Sequence, residues 1–171
     1  MRARLTTLVL MLVTAALVAQ MPAQQTAKQA PKQPKTYTSA KEVVAMMAKA
    51  KSERRQDQAN FIQSLLQLAP YGANLEYRAV VGPAAVHEKE AELFYVIDGS
   101  GTLVTGGKLV GETRPNPENL NGTAIDGGMT QEVAKGDFFI VPENTPHWFS
   151  KINGTLVLMS LHVPRPVPAA R

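Results

Sequence analysis

A single stretch, residues 136–147, constrains the fold of this chain more than any other. A glycine–aspartate turn signal precedes Phe138 to Val141, a run of aromatic and β-branched residues that favours a strand. Pro142 ends that strand because it has no amide proton to donate to a sheet. Pro146 then keeps the chain extended into a second strand that begins at His147. The stretch therefore predicts two short strands joined by a tight turn, with a histidine held at a rigid position.

The side chains of the second strand alternate between its two faces. His147 and Phe149 share one face and Trp148 takes the other. A lone histidine at such a place is often only a polar group satisfied at a strand end. A second segment upstream changes this interpretation.

Residues 136–147 resemble the second sequence motif of the cupin family, and residues 82–99 resemble the first. Asn144 stands at a turn position where the family usually has glycine, and asparagine tolerates the positive φ that such a turn requires. In the family, a His-x-His pair and a glutamate of the first motif join the later histidine to hold a divalent metal. The resemblance implies His87, Glu92 and His147 as three of these ligands.

The first motif departs from the family pattern in two ways. Lys89 stands where the second histidine belongs, and the segment before Glu92 is one residue short. Because a lysine ammonium only donates hydrogen bonds, the implied metal set is reduced to two imidazoles and one carboxylate. Such a set suits iron(II), and manganese, nickel, cobalt or zinc could also occupy it.

The spacing within this segment leaves two alternatives. His87 and Glu92 would face opposite sides of one regular strand, so a bulge or bend near Lys89 must bring them together. Without it, one of the three glutamates faces the pocket and His87 does not; these are Glu88, Glu90 and Glu92. The third histidine, His162, lies in the last strand-like run and could compensate for the missing ligand, although the family does not usually draw one from there.

Four further residues are candidates for the site. Lys89 would be a catalytic cation that donates a hydrogen bond to an anionic substrate or intermediate. Phe94 and Phe149 would line the substrate pocket, because alternation places them on the same faces as the glutamate and the histidine of the two motifs. Arg114 lies in the long connection between the motifs, which is either a lid over the barrel mouth that binds an anionic substrate or a solvated surface loop.

The implied fold is an all-β, antiparallel double-stranded β-helix, the cupin or jelly-roll barrel, over residues 61–165. A capping box that begins at Ser39 predicts a helix over residues 39–56. Its narrow apolar stripe should pack on the barrel's outer surface or on a second copy, and we expect a homodimer. With no cysteine in the chain, only packing or assembly can hold the fold together.

The first residues are typical of targeting rather than of the fold. Two arginines precede an apolar run over residues 5–19, which is the layout of a Sec signal peptide, predicted over residues 1–23 and followed by a disordered linker over 24–38. The run is shorter than the roughly 20 residues that span a membrane, so we expect cleavage, no stable membrane anchor, and a periplasmic or secreted protein. Losing those two arginines lowers the formal charge from +4 to +2, which gives no footprint for nucleic acid.

Three functions follow as hypotheses. The first is a metal-dependent cupin that acts on a small organic substrate, with dioxygenase, isomerase and lyase chemistry left open. The second is a non-catalytic module that binds a sugar or an organic acid, with Lys89 as its fixed charge. The third is a purely structural barrel, which predicts neither metal nor ligand.

Overall fold

The computed structural model describes residues 33–165. The predicted signal peptide and most of the predicted linker lie outside these residues. Within them the chain forms one helix followed by eleven strands: α1 (Ala40–Glu53), β1 (Asn60–Leu68), β2 (Tyr71–Arg78), β3 (Ala84–His87), β4 (Glu90–Thr105), β5 (Lys108–Val110), β6 (Thr113–Asn116), β7 (Asn119–Gly122), β8 (Ala124–Asp126), β9 (Met129–Ala134), β10 (Phe138–Val141) and β11 (His147–Pro164). In residues 33–165, no helix has the length and apolar character that crossing a membrane requires.

The capping box begins the helix as the sequence predicts. The Glu42 amide donates to the Ser39 hydroxyl at 3.2 Å, and the Glu42 carboxylate accepts the Ser39 amide at 2.7 Å. These two bonds satisfy donors that the first helical turn leaves without partners. Ala50, in the apolar stripe of α1, is fully buried against the barrel's outer surface.

The last strand, β11, organises the sheet. It lies between β2 and β4, and both pairings are antiparallel. Its first residue, His147, also pairs with Ala85 of β3, so a single strand connects both halves of the barrel. This antiparallel, mainly β arrangement with one N-terminal helix confirms the predicted fold class.

Each face of the sheet carries its own cluster of buried residues. Outward-facing residues such as Leu75 and Val157 pack with the stripe of α1. Inward-facing residues such as Phe94, Phe149 and Leu158 form the core inside the barrel. Because side chains alternate along a strand, β4 and β11 contribute to both cores.

The connection between the motifs is more regular than the sequence indicates. Residues 114–122, predicted as an irregular excursion, form most of the antiparallel pair β6 and β7. β7 then pairs with β3 along its whole length, with Asn119 opposite His87. The physical reason is that the otherwise unpaired amides and carbonyls of β3 find their partners in this segment. The pairing fixes the segment beside the first motif.

Candidate metal centre

Four side chains converge inside the barrel from the ends of three strands. His87 is the last residue of β3, Glu92 lies near the start of β4, and β11 supplies His147 at its beginning and His162 near its end. The chain bends at Glu88 and the residue after it, between β3 and β4. This is the bend that the odd spacing of the first motif requires, and it turns His87 and Glu92 toward the same point.

The carboxylate of Glu92 is the centre of the cluster. Its Oε2 lies 3.2 Å from Nε2 of His87 and 3.3 Å from Nε2 of His147, and its Oε1 lies 3.3 Å from Nε2 of His162. The ligand atoms of His87, Glu92 and His162 all lie within 4.8 Å of one another. His147 is outside this set of three, but its Nε2 contacts the same carboxylate oxygen as His87. Three imidazole nitrogens therefore face one buried carboxylate.

Each imidazole is oriented by a bond at its other nitrogen. Nδ1 of His87 lies 2.6 Å from Oδ1 of Asn119, and Nδ1 of His162 lies 3.0 Å from Oε2 of Glu90. Nδ1 of His147 lies 3.3 Å from the carbonyl oxygen of Thr145. All three partners are acceptors, so each Nδ1 can donate outward while each Nε2 faces the Glu92 carboxylate. This is the arrangement that holds metal-binding histidines in the correct tautomer.

The charges of the cluster suit a cation at its centre. Burial raises the pKa of the Glu92 carboxyl, but its hydrogen bonds with His147 and His87 outweigh burial and hold that pKa well below its usual range. Burial lowers the pKa of His87, but its hydrogen bonds with Glu92 and Asn119 outweigh burial and leave that pKa raised. The cluster is thus built around an anion that attracts positive charge. Three imidazoles and one carboxylate fit a divalent transition metal.

The other predicted site residues lie in different surroundings. Lys89 does not join the cluster: its side chain is 64% exposed, and its Nζ lies 3.0 Å from Oε1 of Glu118. Arg114 is also at the surface, where its guanidinium donates to both carboxylate oxygens of Glu88 at 2.7 and 2.9 Å. In the structure, both cations have acidic partners outside the cluster.

The two predicted aromatic residues do lie beside the cluster. The Phe94 ring is 6.2 Å from the His147 ring and 5.7 Å from the Phe149 ring, centroid to centroid. Both phenylalanines are almost completely buried. They form the apolar core next to the cluster.

The motifs did not identify the residues that complete the site. His162 was only an alternative ligand at the sequence level, and Glu90 and Asn119 had no assigned part in orienting a histidine. A second polar group, Glu76 with Arg78, lies further along the inward face and was also missed. The alternation Leu-Glu-Tyr-Arg over residues 75–78 was the available signal, because it predicts a strand that buries apolar residues on one face and presents charges on the other.

A separate apolar cavity of about 580 Å³ lies between α1 and the outer face of the sheet. Val43 and Met47 of the helix and Met159 of β11 line it, and the ion pair of Asp98 with Lys135 lies at its edge. It is lined by outward-facing residues and includes none of the four cluster residues. It belongs to the packing of the helix on the barrel.

Comparison with known proteins agrees with this architecture. The Cupin family model matches residues 51–164. A solved protein of Bacillus halodurans is 16% identical, with 82% of this chain and 89% of that chain covered and a TM-score of 0.50, which is a likeness of fold alone. The cupin domain of Cnp3 from Schizosaccharomyces pombe (15% identical, 66% and 70% covered) and KdgF from a Halomonas species (16% identical, 66% and 86% covered) each have a TM-score of 0.48. A search of curated proteins finds no match.

Proposed function

Because the chain belongs to the cupin family, we propose that it is a divalent-metal-dependent enzyme that acts on a small organic molecule. The observation that carries this proposal is the convergence of three Nε2 atoms on the Glu92 carboxylate while each Nδ1 is bonded to an outer acceptor. An outer acceptor at each Nδ1, with each Nε2 turned toward a common centre, is the orientation that metal-bound histidines adopt.

The proposed ligands are His87, Glu92, His147 and His162. In this set His162 replaces the histidine that the family takes from the position of Lys89. A metal held there would supply Lewis-acid polarisation of a substrate oxygen, or oxygen activation if the metal is iron.

The remaining residues of the chain have distinct tasks in this proposal. Asn119, Glu90 and the carbonyl of Thr145 hold the imidazoles in place. Phe94 and Phe149 keep water away from one side of the cluster and so strengthen electrostatic interactions inside it.

The predicted location and assembly are part of the proposal. Residues 1–23 support export to the periplasm or secretion, and fractionation of cells that express the full chain would test it. The homodimer stays a prediction, which sedimentation of the mature protein would check.

The non-catalytic binding module is the weaker hypothesis. It assigned Lys89 as the fixed charge in the barrel, and the Lys89 ammonium is instead at the surface beside Glu118. In that hypothesis the motif histidines would be hydrogen-bonding residues of the binding site. Absence of metal from the native protein would nevertheless favour it.

Elemental analysis of protein purified from its native compartment, without added metal, tests the proposed function. We expect one divalent ion per chain in the wild type and a loss of affinity of at least about tenfold in each of the single variants H87A, E92Q, H147A and H162A. Lys89→Ala is the matched control, since it removes a charged side chain next to the cluster and should keep the metal. A wild type without metal contradicts the proposal, and an H162A variant with full affinity reduces the ligand set to three.

A further inference from the structure

We propose that Arg78 binds an anionic group of the substrate on the inward face of β1 and β2, so that the substrate is a small organic acid. The inference rests on the proposed function, because the other end of that acid would lie at the metal centre.

The inward face of β2 continues the surface on which the cluster lies. Gly72 pairs with His162, and Asn74 pairs with Ser160, in the register between β2 and β11. Directly opposite residues share a face, so the side chain of Asn74 and, by alternation, those of Glu76 and Arg78 point to the same side as His162.

This inward face is accessible to solvent. Asn74 and Arg78 are partly exposed, and Ile62 of β1, which lies opposite Glu76, is 58% exposed. The outward-facing Leu75 and Tyr77 are instead buried beneath α1. The inward face of β1 and β2 thus forms a floor that is partly open to solvent, although Glu76 and the neighbouring Ser160 of β11 are buried.

Arg78 is held on this floor by one edge of its guanidinium. Its Nε and Nη2 both donate to Oε2 of Glu76, at 2.9 and 2.5 Å. Glu76 is only 4% exposed. Its carboxylate also accepts hydrogen bonds from Nδ2 of Asn60 at 2.8 Å and from the hydroxyl of Ser160 at 2.7 Å. The guanidinium also lies over the Phe149 ring, 4.8 Å from its centroid. These contacts fix the orientation of the cation.

The opposite edge of the guanidinium remains for a ligand. Among residues 33–165, Nη1 of Arg78 makes no hydrogen bond, and the side chain is 18% exposed. A guanidinium presented in this way matches a carboxylate, because two of its N–H groups can point at the two oxygens. A buried ion pair adds little net stability, since desolvation offsets the attraction, so packing alone does not explain the pair.

The position of Arg78 sets the length of the ligand. Ser160 bonds to Glu76 and is the same-face neighbour of His162, about 7 Å away along the strand. By a second route, Phe149 lies beneath the guanidinium and is the same-face neighbour of His147. Since a path through contacts is never shorter than the direct distance, these routes place the guanidinium at most about 12–14 Å from the cluster. An acid that reaches from one to the other therefore has a chain of no more than about seven carbons.

The test uses the full mature protein loaded with cobalt(II), and two dicarboxylates as probes. Adipate, with six carbons, can span from the cluster to Arg78, whereas malonate, with three, cannot. Calorimetric titration compares the wild type with E76Q and with the double variant E76Q/R78Q. The double variant removes the pair together, so that the buried carboxylate is not left without its cation.

We expect adipate to bind the double variant at least about tenfold more weakly than the wild type, with cobalt affinity and malonate affinity unchanged. E76Q keeps the cation and removes its competing anion, so it should bind adipate at least as tightly as the wild type. A merely structural pair would weaken adipate binding in both variants or in neither. If the double variant does not fold, Arg78→Lys replaces it, since lysine keeps the charge but not the two-pronged geometry, and we again expect weaker adipate binding.

Equal adipate affinity in the wild type and the Arg78 variants overturns the inference and leaves the metal centre intact. A wild type that binds no cobalt overturns the proposed function and this inference with it. The two failures are thus distinguished by the cobalt titration alone.

Discussion

Each histidine of the cluster has a defined orientation because a neighbouring acceptor fixes it. Asn119 illustrates how this works: its Nδ2 donates to Oδ1 of Asn116 at 3.0 Å, which leaves its own Oδ1 facing His87. Glu90 does the same for His162. The motif residues were predictable from the sequence, whereas these orienting residues were not, because their part depends on which strands become neighbours.

Replacing Glu90 with alanine tests this orientation directly. Without the acceptor at Nδ1, the His162 ring can rotate and its Nε2 becomes a poorer ligand. We expect metal affinity to fall by about tenfold. Competition with a chelator of known affinity measures the change. Lys89→Ala, at the adjacent exposed position, is the control, and equal affinity in the two variants would show that Glu90 does not orient His162.

At the scale of elements, the ends of helices and strands decide where the side chains point. The bend between β3 and β4 compensates for the odd spacing of His87 and Glu92, and Asn144 takes the positive φ of 57° that its turn requires. At the other end of the described chain, the capping box fixes where α1 begins. Local residue types determine the turn at Asn144 and the start of α1, so the sequence predicted both, whereas the bend was one of two alternatives that the spacing left open.

The capping box makes the helix sensitive to acid. A hydrogen bond from the Ser39 amide is the main cause that holds the pKa of Glu42 below its usual 4.5. Because folding lowers the pKa of this carboxyl, its ionised form stabilises the folded state at pH values above the pKa of the unfolded state. That stabilisation is lost as the pH falls through the pKa of the folded state. We therefore expect Glu42→Gln to lower Tm at pH 7 and to have progressively less effect below about pH 4.5.

Thermal unfolding of the two proteins between pH 7 and pH 3 measures this difference. Glu53→Gln removes the same charge from the last residue of α1, where the helix dipole disfavours a carboxylate, and should not lower Tm in the same way. A Tm difference between wild type and E42Q that stays constant over the whole range contradicts the prediction.

At the scale of the whole molecule, the backbones of β4 and β11 approach each other closely near Gly99. These two strands are paired along nearly their full lengths, and Gly99 marks the point where the register shifts. A Cβ atom placed on Gly99 would lie 2.0 Å from the carbonyl oxygen of Thr155. Only glycine lets the two backbones pass at this distance.

Two glycine variants separate this steric effect from backbone strain. Gly99 and Gly136 have positive φ angles of 82° and 95°, but a Cβ atom on Gly136 meets nothing within 4 Å. We expect Gly136→Ala to lower the free energy of unfolding by about 1 kcal/mol. Gly99→Ala adds the backbone clash and should lower it by about 4 kcal/mol or more. Urea denaturation measures both, and equal losses would contradict the steric explanation.

By itself, the sequence determined the capped helix and the strand at residues 138–141, because each depends on local periodicity or turn chemistry, and its resemblance to the cupin family implied the all-β barrel and the positions of His87, Glu92 and His147. The tertiary structure alone decided that His162 completes the cluster, that Lys89 lies at the surface, and that Glu76 and Arg78 share the inward face. Alternation indicates which side chains share a face of one strand, but it does not give the register between strands separated by 70 or more residues. That register follows from the packing of the two cores, which only the folded chain possesses.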